Sequence, residues 1–322
     1  MDENKDEIIN ALKKTLINYE KTMIKVIQNN KKEIDYYKYK CFNTTNKAIS
    51  NIEYDFICNL SNFEENSKWE IEYSKSFVQA YRHKVIYSEE KMQNIVIGLI
   101  GRISSGKTNI LNRIINQNNR ISHSSDISVK YNEDKSVVII DTKGIDSFDS
   151  NEQNEKFIIN YISKVSHIVI YVTSSITRSD KAVIEDLSHN KNIKLFVIHN
   201  LYMCYSISDI NEYANNNLRK AFEVDEMNFD KSSNNDIVHY YSSDDSNVEH
   251  FVIGNENSNE EEIIILNKKV FEYIKGYINS VKNVIAFDPI DTLQTLYEEY
   301  YSNGSSTLKL DFDNKYIQII NK

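Results

Sequence analysis

The spacing of apolar residues changes near residue 94. Up to residue 40 they recur every three or four positions, as Ile9, Leu12, Leu16, Tyr19, Met23 and Val26, with Lys, Glu and Asn between them. That stripe predicts an amphipathic helix, packed either on its own domain or against a helical partner or second copy. Ile49, Ile52, Phe56 and Leu60 keep helical spacing and predict a second helix. A third is predicted over 69–81, with SNFEENSK as the loop between them. From 94 onwards the apolar residues come in short continuous runs: NIVIGLIG (94–101), SVVIID (136–141), HIVIYVT (167–173), KLFVIHN (194–200) and HFVIGN (250–255). Such runs are buried parallel strands. Helical patterns fall between most of them, at 107–117, 151–164, 179–189 and 208–222, and another follows at 261–282. Strands alternating with helices predict an α/β fold of three layers, with a mostly parallel sheet.

Three segments stand outside that alternation. DIVHYYS (236–242) adds a possible strand inside an Asp-, Asn- and Ser-rich surface insertion at 223–247. Pro289 opens a helix through Tyr300, and SNGSS (302–306) is a loop. TLKLDF and KYIQII then alternate about an Asp-Asn turn, as an edge hairpin or the start of a further domain. The division expected is a helical region at 1–92, an α/β domain at 93–283, and a helix with a β-hairpin at 284–322.

Composition narrows the function. The chain has 322 residues, 40% hydrophobic and 26% charged, which suits a globular protein. Its net charge of −9 comes without a basic stripe, so nucleic acid is not an expected partner. Tyr36, Tyr37 and Tyr39, interleaved with Lys38 and Lys40, are read as packed aromatics for the same reason. No apolar run reaches the length of a transmembrane helix. The acidic start MDENKDEIIN does not have the pattern of a secretory signal. Three scattered cysteines without a CxxC pair suit a reducing, cytoplasmic compartment and no structural metal.

The chemistry concentrates in Gly101-Arg102-Ile103-Ser104-Ser105-Gly106-Lys107-Thr108, which fits GxxxxGK[ST] between an apolar strand and a helix. Backbone N–H groups that converge on phosphate oxygens need glycine where φ is positive or space is tight. The helix N-terminus adds its partial positive charge. Lys107 is expected to bridge the terminal phosphates, and Thr108 to offer its hydroxyl to magnesium. Arg102, Ser104, Ser105 and Asn109 belong to the same nucleotide-binding stretch. The chain has only seven glycines, and Gly98, Gly101 and Gly106 fall in this one stretch. Asp141-Thr142-Lys143-Gly144 follows the next apolar run. Asp141 is expected to hold a magnesium-bound water, and the Gly144 N–H to approach the terminal phosphate.

GxxxxGKT followed by DTxG resembles the P-loop GTPases of the translation-factor-related (TRAFAC) class. SSGKT is similar to dynamin-like proteins, and DTKGIDSFDSNEQ with SHIVIYVTSSITRSDKAVIEDL resembles septins and immunity-associated GTPases. The resemblance covers about residues 94–282. It implies guanine nucleotide (GTP/GDP) and Mg2+ as ligands, with transfer of a phosphoryl group to water. By position Ser124 and Ser125 resemble the paired switch threonines, either of which would reach magnesium. Asn200 matches the first position of the guanine motif [NT]KxD, whereas Leu201 stands for its lysine and Met203 for its aspartate. Asp209 lies further on as a substitute acceptor. The last base-side motif falls near Gly254-Asn255-Glu256-Asn257. After Gly144, Ile145 stands where many small GTPases place a water-orienting glutamine. The expectation is a slow GTP hydrolase acting as a switch or assembly GTPase, with Lys107 and Gly144 as its catalytic groups. The alternatives are a nucleotide-binding scaffold without turnover and an ATP-using P-loop protein. His199 is read as a packed histidine at the edge of the core, with a contact to base or ribose as the alternative.

Overall fold

The computed structural model describes residues 54–75, 77–78, 93–115, 125–132, 137–145, 151–228, 239–242, 247–282, 285–301 and 305–321. The chain forms two compact units, one of residues 1–51 and 75–82 and the other of residues 52–74 and 83–322. Of the first unit only the helical residues Lys75, Phe77 and Val78 are described. The helix predicted before residue 40 lies outside the described residues. Everything below concerns the second unit.

Five parallel strands make the centre of its sheet. In spatial order they are β5 (Val137–Asp141), β3 (Gln93–Gly101), β6 (Ile168–Thr173), β7 (Lys194–Asn200) and β10 (Val248–Ile253). They read as unbroken apolar runs because helices cover both faces; every residue of β5, β6 and β10 is buried. Ile95, Ile97 and Leu99 of β3 point into a core shared with α1 (Lys107–Ile115), α4 (Ile207–Tyr213) and α6 (Glu261–Ser280). The opposite face of β3 meets α2 (Glu152–Val165) so closely that a Cβ on Gly98 would stand 2.5 Å from Ile162 Cγ2 and 2.6 Å from Ser166 Oγ. Also on this side are α3 (Arg178–Ser188), tied by the Asn190 amide to the Ser163 carbonyl at 2.8 Å, and α7 (Pro289–Tyr300), where Tyr161 Oη donates to Pro289 O at 3.4 Å.

The helix starts follow their side chains. Asn151 caps α2, Asp288 caps α7 ahead of Pro289, and Thr177 with Asp180 closes a reciprocal capping box on α3. The Arg178–Lys181 segment is therefore the first turn of a capped helix, with Lys181 paired to Glu185 at 3.6 Å. Beyond α4 the helix widens into a π-turn at Ala214–Leu218 before α5 (Arg219–Phe222).

The flanks differ from the prediction. The sheet is mixed, because antiparallel strands extend the parallel centre on both sides. Where helices were predicted at 49–60 and 69–81, the chain forms β1 (Phe56–Asn59) and β2 (Lys68–Tyr73). Phe56 and Cys58 point inward, as do Trp69 and Ile71, with Glu70 and Glu72 outward. The period is two, and it becomes visible once the cysteine is counted as an apolar residue. ISVKYN, to which the sequence pattern assigned no element, is β4 (Ile127–Asn132), paired antiparallel with β5 and β1. The C-terminal β12 (Ser306–Asp311) and β13 (Tyr316–Asn321) form an edge hairpin whose β13 pairs with β2. On the far side β9 (His239–Ser242) and β8 (Asp225–Asn228) lie beyond β10, and the two-residue β11 (Ile285–Ala286) pairs antiparallel with the start of β3. An aromatic cluster secures the N-terminal flank. Trp69 stands 5.5 Å from Phe157 and 5.9 Å from Tyr297, and Phe63 4.8 Å from Tyr301.

Candidate functional site

The strand register brings the expected chemistry to one end of the sheet. Leu99 pairs with Asp141, Gly101 with Val172, Val172 with Ile198, and Asn200 with Ile253. Residues 101–108, 141–145, 200–206 and 254–258 therefore all leave the carboxyl ends of parallel strands, where open α/β sheets hold their ligands.

The loop from β3 to α1 is a tight turn built on positive φ. Gly101 has φ 150°, Gly106 has φ 90° and Ser104 has φ 60°. A Cβ on Gly106 would also meet Asn200 Nδ2 at 2.3 Å. Lys107 opens α1 and folds back under the loop, its Nζ donating to Gly101 O at 3.1 Å and Arg102 O at 2.9 Å. It is buried, and burial lowers its pKa to about 8, with the nearby Asp141 opposing the shift. Thr108 is half-buried beside it, and Ile103, Ser104 and Asn109 face outward. Ser105 Oγ is buried and finds no hydrogen-bond partner among the described residues.

Asp141 lies fully buried at the end of β5. Tyr54 Oη donates to its Oδ2 at 2.6 Å and the Thr142 N–H to its Oδ1 at 2.9 Å. Burial pushes its pKa up to about 6, against the pull of Tyr54, Lys107 and the Thr142 N–H. Tyr54, just ahead of β1, is a contact the sequence did not predict, since nothing local links the two residues. The loop beyond Asp141 runs alongside the phosphate loop: Ile145 N donates to Gly101 O at 3.1 Å and Ile103 N to Ile145 O at 3.4 Å. Gly144 is wedged there, with Ile103 N only 2.3 Å from where its Cβ would be. Ile145, 3% exposed, is packed and does not face the site's solvent. Ser125 O accepts from Lys143 N at 2.7 Å, which sets the Ser125 loop beside the DTKG loop. Ser124 lies outside the described residues.

On the other side of the site Asn200 is buried, and its Nδ2 donates to Ser105 O at 2.9 Å, bracing the phosphate loop from β7. Leu201 is buried, while Tyr202, Met203 and Tyr205 are 51%, 71% and 54% exposed. The exposed Asp209 sits in the first turn of α4, its N–H capped by Ser206. His199 lies inside the core, with Nδ1 3.1 Å from Tyr213 Oη and Nε2 3.1 Å from His250 Nδ1. Burial lowers the His199 pKa to about 3 and that of His250 well below its ordinary value.

The loop after β10 is laced to the loop after β7. Asn255 N donates to Cys204 O at 2.9 Å and Ser258 Oγ to Tyr205 O at 2.7 Å, while Asn267 pairs with both backbone groups of Gly254. Glu256 leans from this loop onto α1. Its Oε1 accepts from Asn109 Nδ2 at 2.8 Å and from Arg113 Nε at 2.9 Å.

A strand, a glycine turn with positive φ, a lysine folded beneath it and an acidic strand end one strand over define a P-loop nucleotide-binding domain of the GTPase type. Residues 96–201 match the family model described as a 50S ribosome-binding GTPase, which places a GTPase domain in this part of the chain. Solved structures also match, among them the G domain of the T. maritima FeoB iron transporter. That likeness has 15% identity and a TM-score of 0.32, over 56% of this chain and 98% of that one. No curated protein matches the chain. Among the described residues no helix is long and apolar enough to cross a membrane.

Proposed function

We propose that the protein binds GTP and GDP with Mg2+ at the 101–109 loop, hydrolyses GTP slowly, and works as a switch or assembly GTPase. The observation that carries this reading is the buried Lys107 under a positive-φ glycine turn, facing the acidic end of the neighbouring strand. That arrangement suits a polyphosphate. Gly101 to Gly106 give the backbone a turn that can present N–H groups, and Lys107 adds a charge held in place by two carbonyls. Burial taxes the lysine's charge, and phosphate oxygens would relieve that tax.

The metal fits the donor set. Thr108 and Asp141 offer a hydroxyl and a carboxylate, the hard oxygen ligands magnesium takes, and Asp141 is buried with Lys107 as its cationic neighbour. Thr108, Asp141 and one serine of the 124–125 pair would hold it, Asp141 by way of a bound water. Bound Mg2+ would neutralise charge on the terminal phosphates. The chain's own residues do the remainder. Lys107 orients the terminal phosphates, Arg102, Ser104, Ser105 and Asn109 line the loop, and Asn200 keeps it braced. The Gly144 N–H sits on the loop that would follow the terminal phosphate.

Ile145 accounts for slow turnover. Its side chain is buried and its N–H and C=O are spent on the phosphate loop, so it supplies nothing to orient an attacking water. Multiple-turnover phosphate release from GTP is expected well below one per second for the isolated protein. It should vanish in Lys107→Ala. Turnover of several per second by a monomer would contradict the assignment of Ile145. A second protomer or a partner that supplies the missing group is the form of activation this predicts.

A further inference from the structure

Guanine presents two donors on one edge, N1–H and N2–H2, and a carboxylate is the side chain that meets both with charge. The loop after β7 offers none: Tyr202, Met203 and Tyr205 are its exposed side chains, and Asn200 Nδ2 is committed to Ser105 O. We propose that Glu256, from the loop after β10, is the residue that reads this edge and sets guanine specificity. The proposal rests on the guanine-nucleotide reading above.

Three observations converge on it. Glu256 lies in the loop laced to the base-side loop through Asn255 N to Cys204 O and Ser258 Oγ to Tyr205 O, at the ligand end of the sheet. It is anchored to the helix that begins with Lys107 and Thr108, through Asn109 and Arg113, so its distance from the phosphate site is fixed by one rigid element. Both anchors fall on Oε1. The side chain is 41% exposed, so a ligand can reach it. A carboxylate held by one oxygen is aimed without being used up. Here the loops exchange roles: the loop after β7 contributes a brace and apolar surface, and the loop after β10 contributes the acceptor.

The test is calorimetric binding of GTP, ATP and XTP with Mg2+ to the full chain and to Glu256→Gln. Glutamine keeps an acceptor for Asn109 and Arg113, so the anchor survives; an unchanged melting temperature confirms it. Xanthine has a carbonyl where guanine has its amino group, so an NH2 in place of the free Oε2 can donate to it while the amide oxygen keeps the two anchors. The variant should lose about tenfold to a hundredfold in GTP affinity, gain affinity for XTP, and bind ATP as before. Undiminished GTP binding with unchanged XTP binding would overturn the proposal. So would an equal loss for all three nucleotides, which would make Glu256 a residue that merely positions the loop. Failure of the unaltered protein to bind GTP would overturn the underlying reading instead.

Discussion

The residues at the site divide by how they are held. Lys107, Asp141 and Asn200 are buried and each is bonded to the frame: Lys107 to Gly101 and Arg102, Asp141 to Tyr54 and Thr142, Asn200 to Ser105. Lys107 and Asp141 were picked out by motif spacing, because a phosphate cradle restricts which residues can stand where; Asn200 was picked out for the guanine motif, and its amide braces the phosphate loop. Tyr54 was not, because its bond depends on tertiary placement alone, and Glu256 was marked only as one residue of the 254–257 stretch. His199, read from the sequence as a packed histidine at the edge of the core, does pack there, against His250 and Tyr213. A histidine held neutral in the core must take up a proton when the chain unfolds in acid. Its folded pKa is about 3 against 6.5, so its contribution is present above pH 6.5 and is lost as the pH falls toward 3. His250 shifts the same way. Between pH 7.5 and pH 5 His199 should therefore remove about 2 kcal/mol of stability in urea unfolding, with His250 adding in the same direction and the raised carboxyl of Asp141 acting against both. The pair variant His199→Gln/His250→Gln should lose much less over that interval; an equal loss would show that other groups govern the acid limb.

At the scale of elements, the parallel strands were legible because burial on both faces leaves no polar alternation. The helices between them were legible to within a few residues at each end. The antiparallel flank was not. Phe56 and Leu60 satisfy helical spacing as well as strand alternation, and only pairing with β4 and β2 decides between them. The π-turn at 214–218 gave no signal, since one extra residue in a helix leaves the polar pattern almost unchanged. β3 packs closely on α2 at Gly98. Gly98→Ala puts a methyl group within 2.6 Å of the Ile162 and Ser166 side chains, so one of them must shift. This overpacking should cost about 1–3 kcal/mol in urea unfolding. A neutral result would mean that α2 is free to shift away from the sheet.

Across the whole molecule, the sheet carries two kinds of structure. Its parallel centre, with the loops at 101–108, 141–145, 200–206 and 254–258, makes the site. Its antiparallel flank joins residues near both ends of the second unit, through β2 and β13, and reaches the site through Tyr54 on Asp141. The three-layer architecture followed from the alternation of strands and helices. The mixed sheet did not, because strands far apart in sequence pair without any local mark. The central claim is Mg2+-dependent guanine-nucleotide binding at this site, and calorimetric titration of GTP, GDP and ATP with Mg2+ into the full chain tests it most directly, with Lys107→Ala as the control. The account predicts binding of GTP and GDP in preference to ATP, lost in the lysine variant. Binding that survives Lys107→Ala, or an equal or stronger response to ATP, would contradict it.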